Sequence, residues 1–299
     1  MANLIGLIGF GEAASSMARD FHAAGVQGLW AYDILSNSET HGASIRARAK
    51  QYGVTLARSI EELCAQTTYL LAFTSPASAV PVAQSAIPLL RAGQTYVDLN
   101  STSPDMAVQM GKIPCADGVG VCDGAALGNV QKLGNKVPVV VCGTGAEAFR
   151  RDLTPYGMDI EVLDAPLGAA SAMKMLKTVY SKGLQQLVLE YLLAAQSYGI
   201  LEQMVNGVHN PMEGKTLAEY ADEAMPRLFL HAQRRATEVA NAVETVEQGG
   251  LEPVMTRAAQ TGFERVAALH LTEQFPDIGQ MNYQQIAQAV LPYMKKKSK

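Results

Sequence analysis

No run in this sequence stays apolar for the roughly 20 residues that a bilayer-crossing helix needs, so no membrane partner is expected. Positive charge is not in excess either. The 24 Lys and Arg face 28 Asp and Glu, a net charge of −4, which argues against nucleic acid as the main partner. Cysteine is scarce, and the four present (Cys64, Cys115, Cys122, Cys142) show no metal-type pairing. Cys122 and Cys142 sit in strand-like runs and read as small buried hydrophobes. Scattered cysteines fit the reducing cytosol, so a cytoplasmic location is expected. The start, Met-Ala-Asn-Leu-Ile-Gly, has no basic stretch and no cleavage site, so no signal peptide is expected. The five histidines have no ligand spacing; His209 reads as a loop residue, and no metal is assigned. The basic tail from Lys295 to Lys299 reads as a frayed, solvated end. Repeats and low-complexity linkers are missing too. What is present is 299 residues, 48% hydrophobic and 17% charged, enough for two domains with sizeable cores.

The first half alternates short apolar runs with helical patterns. Residues 3–8 (Asn-Leu-Ile-Gly-Leu-Ile) form a strand-like run, and a helical pattern follows from about Glu12 to Ala24. A second run, Leu29-Trp-Ala-Tyr, ends at Asp33. Further runs lie at 68–73, 95–99, 118–122 and 137–142, with helical patterns at 38–51, 76–91 and 145–153. Short buried strands alternating with helices predict a parallel sheet covered on both faces.

The first turn, Gly9-Phe10-Gly11-Glu12-Ala13-Ala14, carries chemistry. Gly9 allows a tight strand-to-helix turn, and Gly11 has no side chain to keep a pyrophosphate from the backbone. Ala14 stands where the third glycine of G-x-G-x-x-G/A would be. The helix start then offers free N–H groups and a positive dipole end to phosphate. Asp33 follows about 20 residues on, at the end of the next strand, as a ribose-binding acid should. It would accept the ribose hydroxyls and repel a 2′-phosphate, which favours NAD over NADP; Arg46 and Arg48 nearby keep NADP open. Two later strand ends, Thr74-Ser75-Pro76 and Asn100-Ser101-Thr102, fall where ligands of open parallel sheets bind. Ser, Thr and Pro also start helices, so each segment can be a cap, a cofactor contact or both.

Gly168 to Ser197 opens a long helical pattern, mostly apolar, which predicts a buried helix. One face differs. Ser171, Lys174, Thr178, Ser181 and Gln185 recur at steps of three and four and form a polar stripe. A lysine in such a stripe either snorkels to water or has a partner or a function. Lys177 and Lys182 lie off the stripe and carry no assigned role.

Four segments together resemble the β-hydroxyacid dehydrogenases, the superfamily of 3-hydroxyisobutyrate and 6-phosphogluconate dehydrogenases. They are Gly6-Leu-Ile-Gly9-Phe-Gly11 with Met17-Ala18; Asp98 to Pro104, similar to D-x-S-T-x-x-P; Asp123 to Asn129, at the place of D-x-P-V-S-G-G; and Gly168 to Lys174, similar to G-x-G-x-x-x-K. The chain beyond Gly199 is similar to a 6-phosphogluconate-dehydrogenase-like branch. The resemblance implies a Rossmann-type doubly wound parallel sheet (residues 1–165) followed by an all-α domain for substrate and dimerisation (residues 166–299). It implies a homodimer through the helical domain and a small-molecule substrate. It makes Lys174 the general acid/base on a hydroxy acid, with Thr178 beside it and Ser101, Leu127, Gly128 and Asn129 against the substrate. Two departures stand out. The family usually has Asn where Thr178 stands, and its Ser-Gly-Gly is Leu127-Gly128-Asn129 here. Leu127 cannot hold a carboxylate, so a bulkier or more apolar substrate is expected.

Past Gly199 the pattern is helical near 215–224, 226–247, 252–272 and 282–294, with breaks at Gly249-Gly250 and Phe275-Pro276-Asp277. Arg227, Arg234 and Arg235 read as a solvated face, or as one Arg reaching a substrate carboxylate. Two rivals to a hydroxy-acid dehydrogenase remain. An imine or ketone reductase on the same scaffold makes Leu127 and Thr178 less surprising, whereas Lys174 favours alcohol chemistry. A nucleotide-binding protein without catalysis fits the departures but not Lys174.

Overall fold

The computed structural model describes residues 3–208 and 210–295, so His209 and residues 296–299 lie outside the described residues. Two compact units divide the chain between Val179 and Tyr180.

The first unit runs β1 (Asn3–Ile8), α1 (Glu12–Ala23), β2 (Leu29–Tyr32), α2 (Gly42–Gln51), β3 (Val54–Leu56), α3 (Ile60–Gln66), β4 (Thr67–Ala72), α4 (Ala79–Ala86) and β5 (Thr95–Asp98). It continues through α5 (Pro104–Met110), β6 (Gly120–Ala126), α6 (Val130–Leu133), β7 (Pro138–Gly143), α7 (Ala146–Leu153) and β8 (Asp159–Val162) into α8 (Ala169–Ser197). The sheet order is β3-β2-β1-β4-β5-β6-β7-β8. The chain therefore reverses its direction of growth between β1 and β4, the switch point where open α/β sheets bind ligands.

The predicted parallel sheet needs one correction. β7 pairs antiparallel with β6, and β8 then pairs parallel with β7. The eleven-residue connection that holds α6 is too short for a crossover helix between parallel neighbours. β3 and α3, unmarked in the sequence pattern, pass under a periodicity test because they are only three and seven residues long.

Both faces of the sheet are covered. Ile5, Leu7, Leu71 and Val97 pack with Met17 and Phe21 of α1 and Phe149 of α7. On the other face Leu70 and Tyr96 pack with Leu63 of α3, Ala83 of α4 and Ala107 of α5. Side chains alternate along each strand, so one strand feeds both layers. Capping fixes the helix starts: Ser59 accepts the Glu62 N–H for α3, and Ser103 accepts the Met106 N–H for α5 with Pro104 in its first turn.

The second unit holds the rest of α8, α9 (Leu201–Gly207), α10 (Leu217–Leu230), α11 (Ala232–Gln248), α12 (Val254–Ala268), α13 (Leu271–Gln274) and α14 (Tyr283–Met294). Leu271, Ile278, Ile286 and Val290 form its buried cluster. Capping boxes start α10 (Thr216 with Glu219) and α14 (Asn282 with Gln285). The helical pattern expected over 226–247 is instead divided at His231, between α10 and α11. α10 runs through Pro226; the ring costs one backbone donor, but Pro226 is buried, so packing holds the turn.

α8 departs from its expected burial. Leu176 is 67% exposed and Val179 70%, and Leu184, Leu187, Val188, Leu189 and Leu193 are exposed as well. Among the described residues no helix is long and apolar enough to cross a membrane, so these side chains are not a bilayer span.

Candidate active site

The glycine turn forms as the sequence predicts. Gly9 has φ +82°, and a Cβ there would stand 2.5 Å from the Phe73 carbonyl oxygen. Only glycine fits both demands. Gly11 precedes α1 in extended backbone, and a Cβ there would meet nothing within 4 Å. The first N–H groups of α1 lack helical acceptors, and such a helix start suits a diphosphate.

Phe10 needs a correction within this group. Its ring is fully buried, its N–H donates to Asp33 Oδ2 at 2.7 Å, and its carbonyl accepts from Arg48 Nη2 at 3.1 Å. It braces the turn, whereas Ala13 lines a cleft beyond it. Asp33 also accepts the Leu35 N–H through Oδ1 at 2.8 Å, and each carboxylate oxygen keeps a further lone pair. The Arg46 guanidinium donates to the Ser36 carbonyl.

A cleft of ≈ 300 Å³ opens beyond this turn at the carboxyl ends of β1, β4 and β5. It is lined by Ala13, Phe73, Thr74, Pro76, Leu99, Asn100, Ser101, Ala126, Gly128, Val130 and Lys174. The structure thus brings Ala13, Thr74, Pro76, Asn100, Ser101, Gly128 and Lys174 together. A larger, more open depression of ≈ 670 Å³ carries Arg19, Lys132 and Lys136. It touches none of the glycine turn, so the smaller cleft is the better candidate.

Other sequence candidates fall elsewhere. Ser75 accepts the Ser78 N–H and caps the turn at Pro76. The Thr102 hydroxyl is buried and donates to Asp98, so it faces the core and not a cofactor. Leu127 is half-buried against Ala125, Val140, Cys142 and Ala170; its apolar side chain follows the alternation of β6 inward. Asn129 accepts the Lys132 N–H and caps α6. The Thr178 hydroxyl donates to the Lys174 carbonyl at 3.0 Å, back along its own helix. The basic cluster splits: Arg227 pairs with Glu223 and Arg234 with Glu238.

Lys174 is half-buried, one helical turn after the buried Ser171. Burial pulls its ammonium below the ordinary lysine value; Asp98 opposes this and Lys177 adds to it. Among the described residues no carboxylate reaches ion-pairing distance of Lys174. Lys177, given no role by the helical stripe, donates through Nζ to the Leu127 carbonyl. No one-dimensional pattern marks that contact, since it joins residues 50 positions apart.

A glycine turn at a helix start, an acid at the end of the next strand and a cleft ending in a partly desolvated lysine accompany a Rossmann-type nicotinamide oxidoreductase fold. Residues 4–102 match the family described as coenzyme F420-dependent NADP oxidoreductase. Residues 195–266 match a domain of unknown function, DUF1932. A conserved hypothetical protein from Sinorhizobium meliloti 1021 is 31% identical over 98% of this chain and 97% of its own, with a TM-score of 0.63. A conserved protein of unknown function, described as structurally similar to 3-hydroxyacid dehydrogenases, is 29% identical over 89% of this chain and 98% of its own, with a TM-score of 0.59. An imine reductase from Aspergillus terreus, solved with NADPH4 and dibenz[c,e]azepine, shares the fold at 16% identity over 90% of this chain and 94% of its own, with a TM-score of 0.67. The chain belongs to the β-hydroxyacid dehydrogenase-like superfamily.

Proposed function

We propose that this protein is an NAD(P)-dependent oxidoreductase in which Lys174 moves a proton to or from a hydroxy acid as hydride passes at the neighbouring carbon. The observation that carries this reading is the placement of a half-buried Lys174 in the same cleft as Ala13, Ser101 and Gly128. When bound, the nicotinamide supplies or takes the hydride. The α1 start would bind the diphosphate and Asp33 the adenosine ribose.

Lys174 does the acid–base work in either direction. As a neutral amine its Nζ takes the proton of a substrate hydroxyl; as an ammonium it donates to a carbonyl oxygen. A depressed pKa brings both forms into the working range. Ser101, exposed on the cleft wall, offers a hydroxyl to the substrate's polar end. Gly128 presents bare backbone to the cleft.

A second reading is an imine reductase. Leu127 and Asn129 turn away from the cleft, and the Thr178 hydroxyl is held by its own helix. This arrangement lacks the polar cradle that a short hydroxy-carboxylate needs. Turnover measured across hydroxy acids and cyclic imines, with NAD(H) and NADP(H) each supplied, separates the two. Oxidation of a hydroxy acid supports the first reading. Imine reduction alone replaces it with the second. Binding without turnover of either leaves a nucleotide-binding protein.

The exposed apolar side chains along α8 support a homodimer. A 29-residue helix spans about 44 Å at 1.5 Å per residue, and a second copy would cover its Leu and Val side chains.

A further inference from the structure

Three adjacent strands carry a row of polar groups beneath the start of α8. Asp98 and Asp123 are register partners on β5 and β6. Asp123 is in turn the register partner of Cys142 on β7. Partners in register point to the same face of a sheet. Both aspartates are 1% exposed, and two carboxylates so placed cannot both hold a full charge cheaply.

The hydrogen-bond donors are shared unequally. Asp123 Oδ2 accepts the N–H groups of Gly168 and Ser171, each at 3.0 Å, and faces the Cys142 thiol at 3.7 Å. Its Oδ1 accepts the Ser171 hydroxyl at 2.6 Å. It also lies at the positive end of α8, which favours a negative charge. Asp98 has the Asn100 amide on Oδ1 and the Thr102 hydroxyl on Oδ2 at 2.9 Å; the Asn100 N–H adds a weaker pull. Asp123 is therefore the carboxylate with backbone donors that cannot turn away.

Proton positions follow from the donors that cannot turn. The Thr74 N–H can only donate, and it donates to Asn100 Oδ1. The Asn100 NH₂ must then face Asp98 Oδ1, so any proton on Asp98 sits on Oδ2, toward Thr102. With both aspartates ionised, Thr102 donates to Asp98 and Ser171 donates to Asp123. Their two oxygens, 3.3 Å apart, then have no proton between them. One added proton repairs the chain: Asp98 donates to Thr102, Thr102 to Ser171, and Ser171 to Asp123.

We propose that Asp98 and Asp123 hold a single proton between them, carried on Asp98 Oδ2 and ordered through Thr102 and Ser171, so that Asp98 is a neutral positioning residue beneath Lys174. Burial raises the Asp98 carboxyl above its ordinary value against the pull of the Thr102 and Asn100 hydrogen bonds, and Asp123 adds a smaller push in the same direction as burial. The groups that face it are Asp123 on β6, Lys174 on α8 and Tyr96 on its own strand, with Cys142 of β7 on the far side of Asp123. A neutral Asp98 removes the one charge that would help Lys174 keep its proton. This consequence rests on the reading of Lys174 as the proton carrier; the shared proton itself does not.

The test follows aspartate carboxyl carbons, labelled with ¹³C, by NMR across pH in the full-length protein. One resonance is expected to remain that of a neutral acid near pH 7, where an ordinary aspartate of pKa about 3.9 is ionised, and to vanish in Asp98→Asn. If Asp98→Asn does not fold, Thr102→Val is expected to shift that same resonance, because it removes only the hydroxyl. The titration of Lys174, read from its own side-chain resonance, is expected at the same pH in wild type and Asp98→Asn, since the amide mimics a neutral acid. Full ionisation of every aspartate near pH 7, or a lysine titration that falls in Asp98→Asn, overturns the proposal. Turnover retained in Lys174→Ala would remove the catalytic reading and leave the aspartate resonance to be judged alone.

Discussion

Asp33 and Arg48 grip the same residue from opposite sides. Asp33 accepts the Phe10 N–H at 2.7 Å, and Arg48 donates to the Phe10 carbonyl at 3.1 Å. The two charges never meet directly, yet together they set the glycine turn against the end of β2. Arg48 keeps its Nε buried without an acceptor, so its hold on Phe10 leaves part of the guanidinium unsatisfied. The glycine turn thus has an anion on one side and a cation braced behind it.

Asp33→Ala is therefore expected to act twice. It removes the acceptor for the ribose hydroxyls and frees the Phe10 N–H. A hydrogen bond to a charged group contributes about 1.5–3 kcal/mol, so NAD(H) affinity should fall by roughly 10- to 100-fold. NADP(H) affinity should fall less, since the charge that repels a 2′-phosphate is gone. Calorimetric titration of both cofactors checks this. A wild-type preference for NADPH would show that Arg48 and Arg46 outweigh Asp33.

Leu127 was expected against the substrate, and the structure turns it into a small cluster with Val140, Cys142 and Ala170. Leu127→Ser should then lower stability by about 1–3 kcal/mol, the usual range for a core truncation at a half-buried site, with little change in substrate preference. A thermal melt beside a substrate panel decides it. A shifted panel with an unchanged melt would return Leu127 to the cleft.

Much of the fold was legible because its signals are local. The strands at 3–8 and 29–32 are short apolar runs closed by glycine or aspartate, and the turn between them needs glycine for steric reasons. The direction of β7 was not legible, since Val139-Val-Val reads the same in either sense and only the short connection through α6 decides it. The division between α10 and α11 at His231 was not legible either, since the helical pattern runs across it. At the site, Lys174 stood out because a cation interrupts an apolar helix. Arg48 on Phe10, Lys177 on Leu127 and Asp98 beside Asp123 did not stand out, because each contact joins distant positions that only the folded sheet brings together.

Lys177 reaches the Leu127 carbonyl and places a second positive charge one turn from Lys174. Like charges disfavour protonation, so Lys177→Met should let Lys174 hold its proton to higher pH. The pH limb of turnover is expected to move upward. Loss of the contact to the loop at Leu127 should raise KM as well. A limb that stays in place would mean that the Lys177 charge is screened from Lys174.

The exposed apolar side of α8 predicts a dimer in solution. Leu187→Glu with Leu184→Glu would place charges among Leu, Val and Tyr side chains that are 37–49% exposed in the single chain. Sedimentation should show wild-type dimer and variant monomer, with helical content retained. A wild type that is monomeric at every concentration tested would leave these side chains without a second copy to cover them.

Lys174 carries the last prediction, because its catalytic and stabilising effects have opposite signs. Its folded-state pKa lies below the ordinary lysine value of about 10.4. Between the folded and unfolded values the unfolded chain binds more protons, so stability rises with pH across that window. Below the folded value the buried ammonium is a standing cost. Lys174→Met keeps the length and volume of the side chain and removes the charge. It should melt higher than wild type near neutral pH, with the difference shrinking as pH rises towards the unfolded value. The same variant should lose roughly 10²–10⁴-fold in kcat, the usual contribution of a general acid/base, while cofactor affinity holds, because the proposed diphosphate and ribose contacts are at Gly11, Ala13 and Asp33. Lys174→Arg should not restore turnover, since a guanidinium stays protonated at any working pH. The two measurements separate a functional lysine from a snorkelling one. A lysine that merely reaches water would give no gain in melting temperature and no loss of turnover when replaced by methionine.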